Sequence, residues 1–256
     1  MAGMGVASPA RVPNSNPDSA EDGQVKPDGL VSGANALRYW QARQQVVANN
    51  LANAETHGFK GERVFARLLG DMVQPEAATD FAQGALTPTE RPLDLALEGE
   101  GFFVIDTPAG ERLTRGGSLR MDETGRIVDG SGNAILGERG RPIIVPEGKG
   151  EIAIGADGVV RVDGREIDRL RVVRAPEGTQ LFHEGAALFR AEGAVERIDP
   201  AERRVRQGHV EASNVGTLET MVDMINIQRA YAAVHNSLQV QDGVLDTIAN
   251  QIGRLS

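Results

Sequence analysis

Ten positions near the C-terminal end of the sequence alternate in steps of three and four residues, and this seam constrains the fold more than any other feature. The alternation runs without a slip from Met224 to Leu255. It places all ten side chains on one face of a helix, a pattern typical of helices that pack lengthwise against another helix. Thr217 is a suitable N-cap residue, so the sequence predicts one long helix from Thr217 to Arg254. The seam consists of Met224, Ile227, Tyr231, Val234, Leu238, Gln241, Leu245, Ile248, Ile252 and Leu255.

A second, shorter seam lies near the other end of the chain. No Gly or Pro occurs from Ala34 to His57, and a helix is predicted there with Asn35 as its N-cap and its end at or before Gly58. Neither helix is apolar on all sides, so each needs a partner, and the simplest arrangement pairs them in a coiled-coil-like helical domain. The seam of this first helix contains Leu37, Trp40, Gln44, Val47, Leu51 and Ala54.

The sequence between the two helices has the character of an antiparallel β domain. More than half of the 31 glycines lie between Gly99 and Gly193, where short β-prone runs alternate with turn signals. Asp157-Gly158 predicts a hairpin, and Asp129-Gly130 and Asp163-Gly164 predict further turns. The predicted strands are Leu93–Glu98, Phe102–Asp106, Arg126–Val128, Ile152–Ile154, Val159–Val162 and Leu170–Val173.

These patterns predict a mixed α and β fold in three parts. Residues 1–33 contain four prolines among polar residues and no apolar period, and we expect them to form a disordered arm. Residues 34–78 and 202–256 are predicted to form the helical domain. Residues 79–201 are predicted to form a β-rich domain inserted between the two helices.

Composition excludes several classes of function. A formal net charge of -9 makes nucleic acid an unexpected partner, because the chain as a whole has no excess of positive charge to neutralise phosphates. The absence of cysteine excludes disulfides, thiolate metal sites and a thiol nucleophile. No window approaches the roughly 20 apolar residues of a membrane span, and no secretory signal peptide is recognisable. We therefore expect no membrane insertion and no cleaved signal peptide.

Catalytic chemistry finds little support in the sequence. The four histidines are scattered, and no phosphate-binding loop or nucleophile motif occurs. Asp94, Glu98 and Glu100 could be imagined as an acid/base group of the glycosidase type, although carboxylates beside the flexible Gly99 and Gly101 more simply flank a turn. We predict no catalytic residue, no cofactor and no metal site.

Three stretches resemble the signatures of one known family. Ala48–Lys60 (ANNLANAETHGFK) resembles the N-terminal signature of bacterial flagellar rod and hook proteins. Pro92–Val104 is similar to the start of their β domain, and Glu211–Val215 with Gln228–Tyr231 is similar to their C-terminal signature. The stretches occur in the family's order. One departure is the arm of about 33 residues before the first helix, which family members commonly begin close to the N-terminus.

The resemblance implies a structural axial subunit of the flagellar basal-body rod, most like the proximal rod protein. It implies copies of the chain and other flagellar rod proteins as partners, with the flagellar export apparatus contacted in transit to the periplasmic rod. The alternatives are a distal rod or hook-type subunit and, more remotely, a wall-directed β domain that binds or hydrolyses glycans on a helical stalk.

In this interpretation the two seams form the assembly interface, because heterologous contacts that do not close produce a helical assembly. Asn50 and Asn53 either contribute polar contacts to that interface or stabilise the end of the first helix. The predicted interface residues are Leu37, Trp40, Gln44, Val47, Asn50, Leu51, Asn53, Met224, Ile227, Tyr231, Val234, Leu238, Gln241, Leu245, Ile248 and Ile252.

Overall fold

The structure is a computed structural model that describes residues 28–69, 72–146, 150–185 and 187–252. Helix α1, Asp28–Ala52, and helix α2, Thr217–Ile252, lie at the two ends of this range, with all the described strands between them. The mixed α and β fold with mostly antiparallel strands is thus confirmed. Within the described residues, neither helix contains a stretch long and apolar enough to cross a bilayer.

The described strands are short, and all their pairings are antiparallel. In chain order they are β1 Glu62–Leu69, β2 Met72–Thr79, β3 Leu86–Pro88, β4 Leu95–Leu97, β5 Phe102–Thr107, β6 Gly110–Thr114, β7 Arg120–Met121, β8 Ile127–Val128, β9 Ala134–Ile135, β10 Ile152–Ile154, β11 Val159–Val162, β12 Arg165–Arg169, β13 Val172–Arg174, β14 Gln180–His183, β15 Leu188–Glu192, β16 Glu196–Arg197, β17 Val205–Gln207 and β18 His209–Glu211.

The main sheet runs in the order β14-β15-β6-β5-β9-β8-β7, with β13 joining β5 to β16. A three-stranded sheet, β10-β11-β12, packs beside it, and its hairpin connections follow the turns that the sequence predicts. All six predicted strands are found: β10 and β11 have the predicted bounds, β5 is one residue longer, and the other three are shorter or shifted. Alternating apolar runs bounded by Gly and Asp were sufficient to locate them.

The core of the β domain is formed by large side chains with almost no exposure to solvent. Phe103, Ile135 and Leu170 are fully buried in it, and Val205 of β17 joins them from the far end of the chain. Apolar burial of this kind contributes about 1.5 to 3 kcal/mol for each large side chain. The core therefore depends on residues that come after the strands of the main sheet.

Helices α1 and α2 pack antiparallel. Gly33 near the start of α1 lies against Leu238 in the second half of α2, and Arg43 lies 3.9 Å from Asp223 near the start of α2. A β-carbon at Gly33 would collide with the Leu238 side chain, so the glycine provides the space into which that leucine fits. Pairing of the first and last helices is therefore observed, whereas supercoiling as a coiled coil stays a prediction.

The start of α1 differs from the sequence prediction. The helix begins at Asp28, so residues 28–33 are helical and do not belong to the predicted arm, and the prediction of Asn35 as N-cap is wrong. Gly29 and Gly33 weaken the helical signal there, because glycine costs about 1 kcal/mol in a helix interior. At Gly33 the contact with the Leu238 side chain offsets this cost. The rest of the predicted arm, residues 1–27, lies outside the described residues.

Two segments assigned to the helical domain are instead strands. Residues 62–69 and 72–79 form the antiparallel β1-β2 hairpin, which packs on α1 as a separate two-stranded sheet. Residues 205–211 form β17 and β18, which pair with β4 and β3. The neighbouring sequence of β17 and β18 does not indicate strands, because their partners lie more than 100 residues away. The predicted end of the β-rich domain at residue 201 therefore falls ten residues before Glu211, the last residue of β18.

Candidate assembly site

The predicted seam of α2 faces α1 within the same chain. Ile227 is buried, with 1% of its surface exposed, and Val47 on α1 is also buried. The other seam residues described are partly buried, except for Gln241, which is exposed. The partly buried residues are Leu37, Trp40, Gln44, Leu51, Met224, Tyr231, Val234 and Leu238. Leu245, Ile248 and Ile252 lie where the structure describes the course of the helix but not these side chains.

The side of α2 that faces away from α1 is also apolar. Leu218 is 77% exposed, and Val222, Ile225, Val240 and Val244 are each at least half exposed. Helical spacing of three and four residues places them on one stripe. We call this stripe the outer face, and it consists of Leu218, Met221, Val222, Ile225, Arg229, Ala232, Ala233, Asn236, Val240 and Val244.

Exposure of this stripe is unusual for a helix that already has a partner. A surface helix normally presents polar residues on the side opposite its buried face. Contiguous exposed apolar surface marks a contact with another molecule. The outer face can therefore bind a further helix while α1 covers the inner face. Sequence analysis missed it, although its spacing was visible, because Arg229 interrupts the run of apolar residues.

A buried ion cluster joins the helical pair to the β domain. Glu211 on β18 accepts hydrogen bonds from Lys60 Nζ at 2.5 Å and from an Arg115 guanidinium nitrogen at 3.0 Å. All three side chains are at least 94% buried. Glu211 also accepts a bond from the Gly84 backbone N–H at 2.9 Å. One carboxylate thus connects segments that precede, belong to and follow the β domain.

The ion cluster carries a net positive charge, because two cations share one carboxylate. Burial lowers the pKa of Lys60 from its ordinary 10.5, and the hydrogen bond that Lys60 donates to Glu211 offsets this only in part. Burial likewise lowers the pKa of Arg115. Lys60 also donates to the Ala82 carbonyl, and Arg115 donates to the Gly99 carbonyl. These carbonyl acceptors spread the positive charge that Glu211 does not balance.

Two asparagines from the signature stretches hold the same region through backbone groups. Asn50 at the end of α1 donates to the Glu62 carbonyl at 2.8 Å and accepts from the Glu62 N–H at 2.9 Å. Asn214 accepts from the Gly61 N–H at 2.8 Å and donates to the Asp80 carbonyl at 2.7 Å. Both amides therefore stabilise the fold within the chain. Asn53 bonds the carbonyl of Asn49, which satisfies the helix end.

Gly58 allows the chain to turn closely past the β domain. Its φ of 72° lies in the left-handed region, and a β-carbon there would collide with the backbone of Arg115 and Gly116. The next residue, Phe59, is fully buried against His183. We call residues 58–61, 115–117 and 209–215 together the junction. Its polar and aromatic contacts fix how the helical pair is attached to the β domain.

A groove of about 440 Å³ opens beside the junction, between α1, the start of α2 and the β1-β2 hairpin. Its walls include Val46 and Val64, and Phe65 at its rim is 56% exposed. Four carboxylates and two arginines surround these apolar residues. Arg43 pairs with Asp223, and Arg63 pairs with Asp80 at 2.8 Å. The other two carboxylates, Glu62 and Glu219, lie within 4 Å of no cation in the part of the chain described.

The carboxylates considered for catalysis are not arranged as an acid/base pair. Asp94 is buried, whereas Glu100 is exposed, and Glu98 is held by Arg206 at 2.7 Å. The described residues contain no group of three or more His, Asp or Glu side chains placed to bind a metal ion.

Comparison with protein families finds three matches in chain order. Residues 30–60 match the model of the flagella basal body rod protein, and residues 96–162 match the D1 domain of flagellar hook proteins FlgE/F/G. Residues 206–252 match the C-terminal region of flagellar basal body rod FlgEFG proteins. The first and third matches contain the two helices and most of the junction.

Individual relatives extend over most of the chain. The flagellar basal-body rod protein FlgF of Rhizobium meliloti is 33% identical over 88% of this chain and 98% of its own length. The FlgF of Salmonella typhimurium is 36% identical over 74% of this chain and 84% of its own length. The rod protein FlgG of Bacillus subtilis is 28% identical over 86% of this chain and 97% of its own length.

Proposed function

Because the chain belongs to the family of flagellar basal-body rod proteins and is a structural subunit of the flagellar rod, we propose that it occupies the proximal rod and acts without enzymatic activity. Several of its relatives carry the name FlgF, and the matches cover 84 to 98% of their lengths. The β domain, compact and without a long insertion, supports a place in the proximal rather than the distal rod. Export by the flagellar apparatus without a cleaved signal peptide belongs to the same proposal.

The observation that carries the assembly role is the outer face of α2. Each helical pair already buries the inner seam, yet α2 presents a second apolar stripe to solvent. Covering a large apolar side chain contributes about 1.5 to 3 kcal/mol. In the proposed rod, helices of neighbouring subunits cover this stripe, and the predicted inner seam keeps each pair together.

The junction gives this arrangement its rigidity. A rod that transmits torque needs subunits whose two parts keep a constant angle, and a flexible linker between them would not provide this. Lys60, Arg115 and Glu211 join the parts through buried, charge-assisted hydrogen bonds. A hook-type subunit belongs to a structure that bends, and such a rigid connection suits that role less well.

The test is complementation of a strain from which the gene has been deleted. We expect deletion to leave cells without filaments, and we expect the double substitution Leu218→Asp and Ile225→Asp to restore neither motility nor rod incorporation. The control is Gln180→Asp, which adds a carboxylate at an exposed position of β14, away from α2. Normal rods with the α2 double variant would contradict the proposal, as would filaments on the deletion strain.

A further inference from the structure

The outer face of α2 contains one cation at its middle. Arg229 lies between the apolar residues Ile225 and Ala233 and is exposed. Two residues beyond the inward-facing Ile227, it projects about 200° around the helix, away from α1. Within the described residues, no carboxylate lies within 4 Å of its guanidinium group. An arginine in an apolar contact surface requires a partner that neutralises it.

The groove beside the junction has the complementary composition. Glu219 is exposed at its edge, without a cationic partner among the described residues, and Phe65 supplies an exposed apolar rim. Glu219 and Arg229 are ten residues apart on one helix, about 15 Å along its axis, so they do not meet within one chain. The acid and the cation are therefore available to different molecules.

We propose that a second copy of this chain places the Arg229 region of its outer face on this groove, so that Arg229 of one copy pairs with Glu219 of the next. Val222 and Ile225 then cover the exposed ring of Phe65. The inference rests on the proposed rod function and specifies its register, that is, which part of one subunit meets which part of its neighbour.

The pairing also explains the type of assembly. The Arg229 region and the groove are different patches, so the contact is heterologous and leaves one free patch at each end of the array. Repetition of such a contact builds an open helix and not a closed dimer. The ion pair adds specificity of register, while the apolar side chains supply most of the buried area.

Charge reversal tests the pairing in the complemented deletion strain. We expect Arg229→Glu and Glu219→Arg each to reduce the amount of the chain in isolated basal bodies at least tenfold. The combination of both should restore it to at least half the parental amount. Arg165→Glu, on the exposed strand β12, changes the same charge far from the contact and should have no effect. Melting curves of each purified variant check that folding is retained.

The natural absence of cysteine permits a second measurement. Two differently tagged copies, one with Ile225→Cys and one with Phe65→Cys, should form a disulfide with each other in assembled rods. Normal assembly of Arg229→Glu would overturn the pairing, as would failure of the double reversal to restore assembly. A crosslink found only to a different rod protein would overturn the choice of a second copy. Deletion of the gene still tests the rod function separately, because the loss of filaments does not depend on the register of this contact.

Discussion

Glu211 illustrates how much of the fold depends on a single side chain. It is fully buried and balances one of two buried cations, Lys60 and Arg115. Neither its burial nor its partners can be deduced from the sequence, because Lys60 lies 151 residues away. The stretches that contain Lys60 and Glu211 were recognised as signatures. The structure adds that the two stretches are joined by the salt bridge between Lys60 and Glu211.

The net charge of the ion cluster leads to an asymmetric prediction. Glu211→Gln removes the carboxylate that bonds both buried cations and leaves them only the weaker attraction of Asp80 and Glu100, so we expect it to lower the free energy of unfolding by about 3 to 5 kcal/mol. Lys60→Met removes the excess cation and leaves the Arg115–Glu211 pair balanced, so its effect should be clearly smaller. Urea denaturation of both variants measures the difference. Equal losses would contradict the proposed charge balance.

The pKa of Lys60 predicts how stability depends on pH. Because burial lowers this pKa below 10.5, the unfolded chain binds the Lys60 proton more tightly than the folded chain does. The contribution of Lys60 to stability should therefore rise as the pH increases towards 10.5. Thermal unfolding at several pH values from 7 to 10 should show the parent gaining stability relative to Lys60→Met. A constant difference between the two proteins would refute the prediction.

At the level of elements, the contact between α1 and α2 depends on Gly33 and Leu238. The glycine leaves a space that the Leu238 side chain fills. Periodicity in the sequence correctly predicted both helices, the start of α2 at Thr217 and the six strands. It could not predict α1 before Ala34, since the reason for a glycine there lies 205 residues further along the chain.

We expect Leu238→Arg to weaken the helical pair even in the free chain. The arginine cannot occupy the space over Gly33 without placing a charge against apolar surface, and the loss should be about 1.5 to 3 kcal/mol of burial or more. Gly33→Val should have a similar effect from the other side of the contact. Circular dichroism at 222 nm should show the helices melting at lower temperature while the β signal is retained.

The control for these variants is Asp242→Asn. Asp242 lies four residues after Leu238 on α2, and its side chain is exposed. It should leave the helical transition unchanged. If Leu238→Arg melts like the parent, the contact with Gly33 does not hold the helices together, and the inner seam would need another explanation.

At the level of the whole molecule, the β domain is closed by strands that come after it in sequence. β17 covers β4, and Val205 completes the core beside Leu95 and Leu97. We therefore expect residues 79–215 to fold alone with a cooperative transition. Residues 79–201 lack β17 and β18, and their melting midpoint should be much lower or no transition should be seen. Identical denaturation curves for the two fragments would contradict this role of the late strands.

The surfaces proposed here for assembly were predictable only in part, for a related reason. The inner seam is readable from one helix at a time, because its apolar spacing reflects contact with α1. The outer face is interrupted by Arg229, and the groove that suits this cation is assembled from α1, α2 and the β1-β2 hairpin. A surface built from three separated segments has no signature in any one of them.

The antiparallel pairing of α1 and α2 has a practical consequence for labelling. Asp28 at the start of α1 and the end of α2 lie on the same side of the molecule, remote from the β domain. A fluorescent protein inserted directly beside either of these helix ends would crowd the contacts proposed between neighbouring helices. The two-residue hairpin turn at Asp163-Gly164, where no atom would approach a side chain added at Gly164, is the better insertion point for an epitope meant to face outwards.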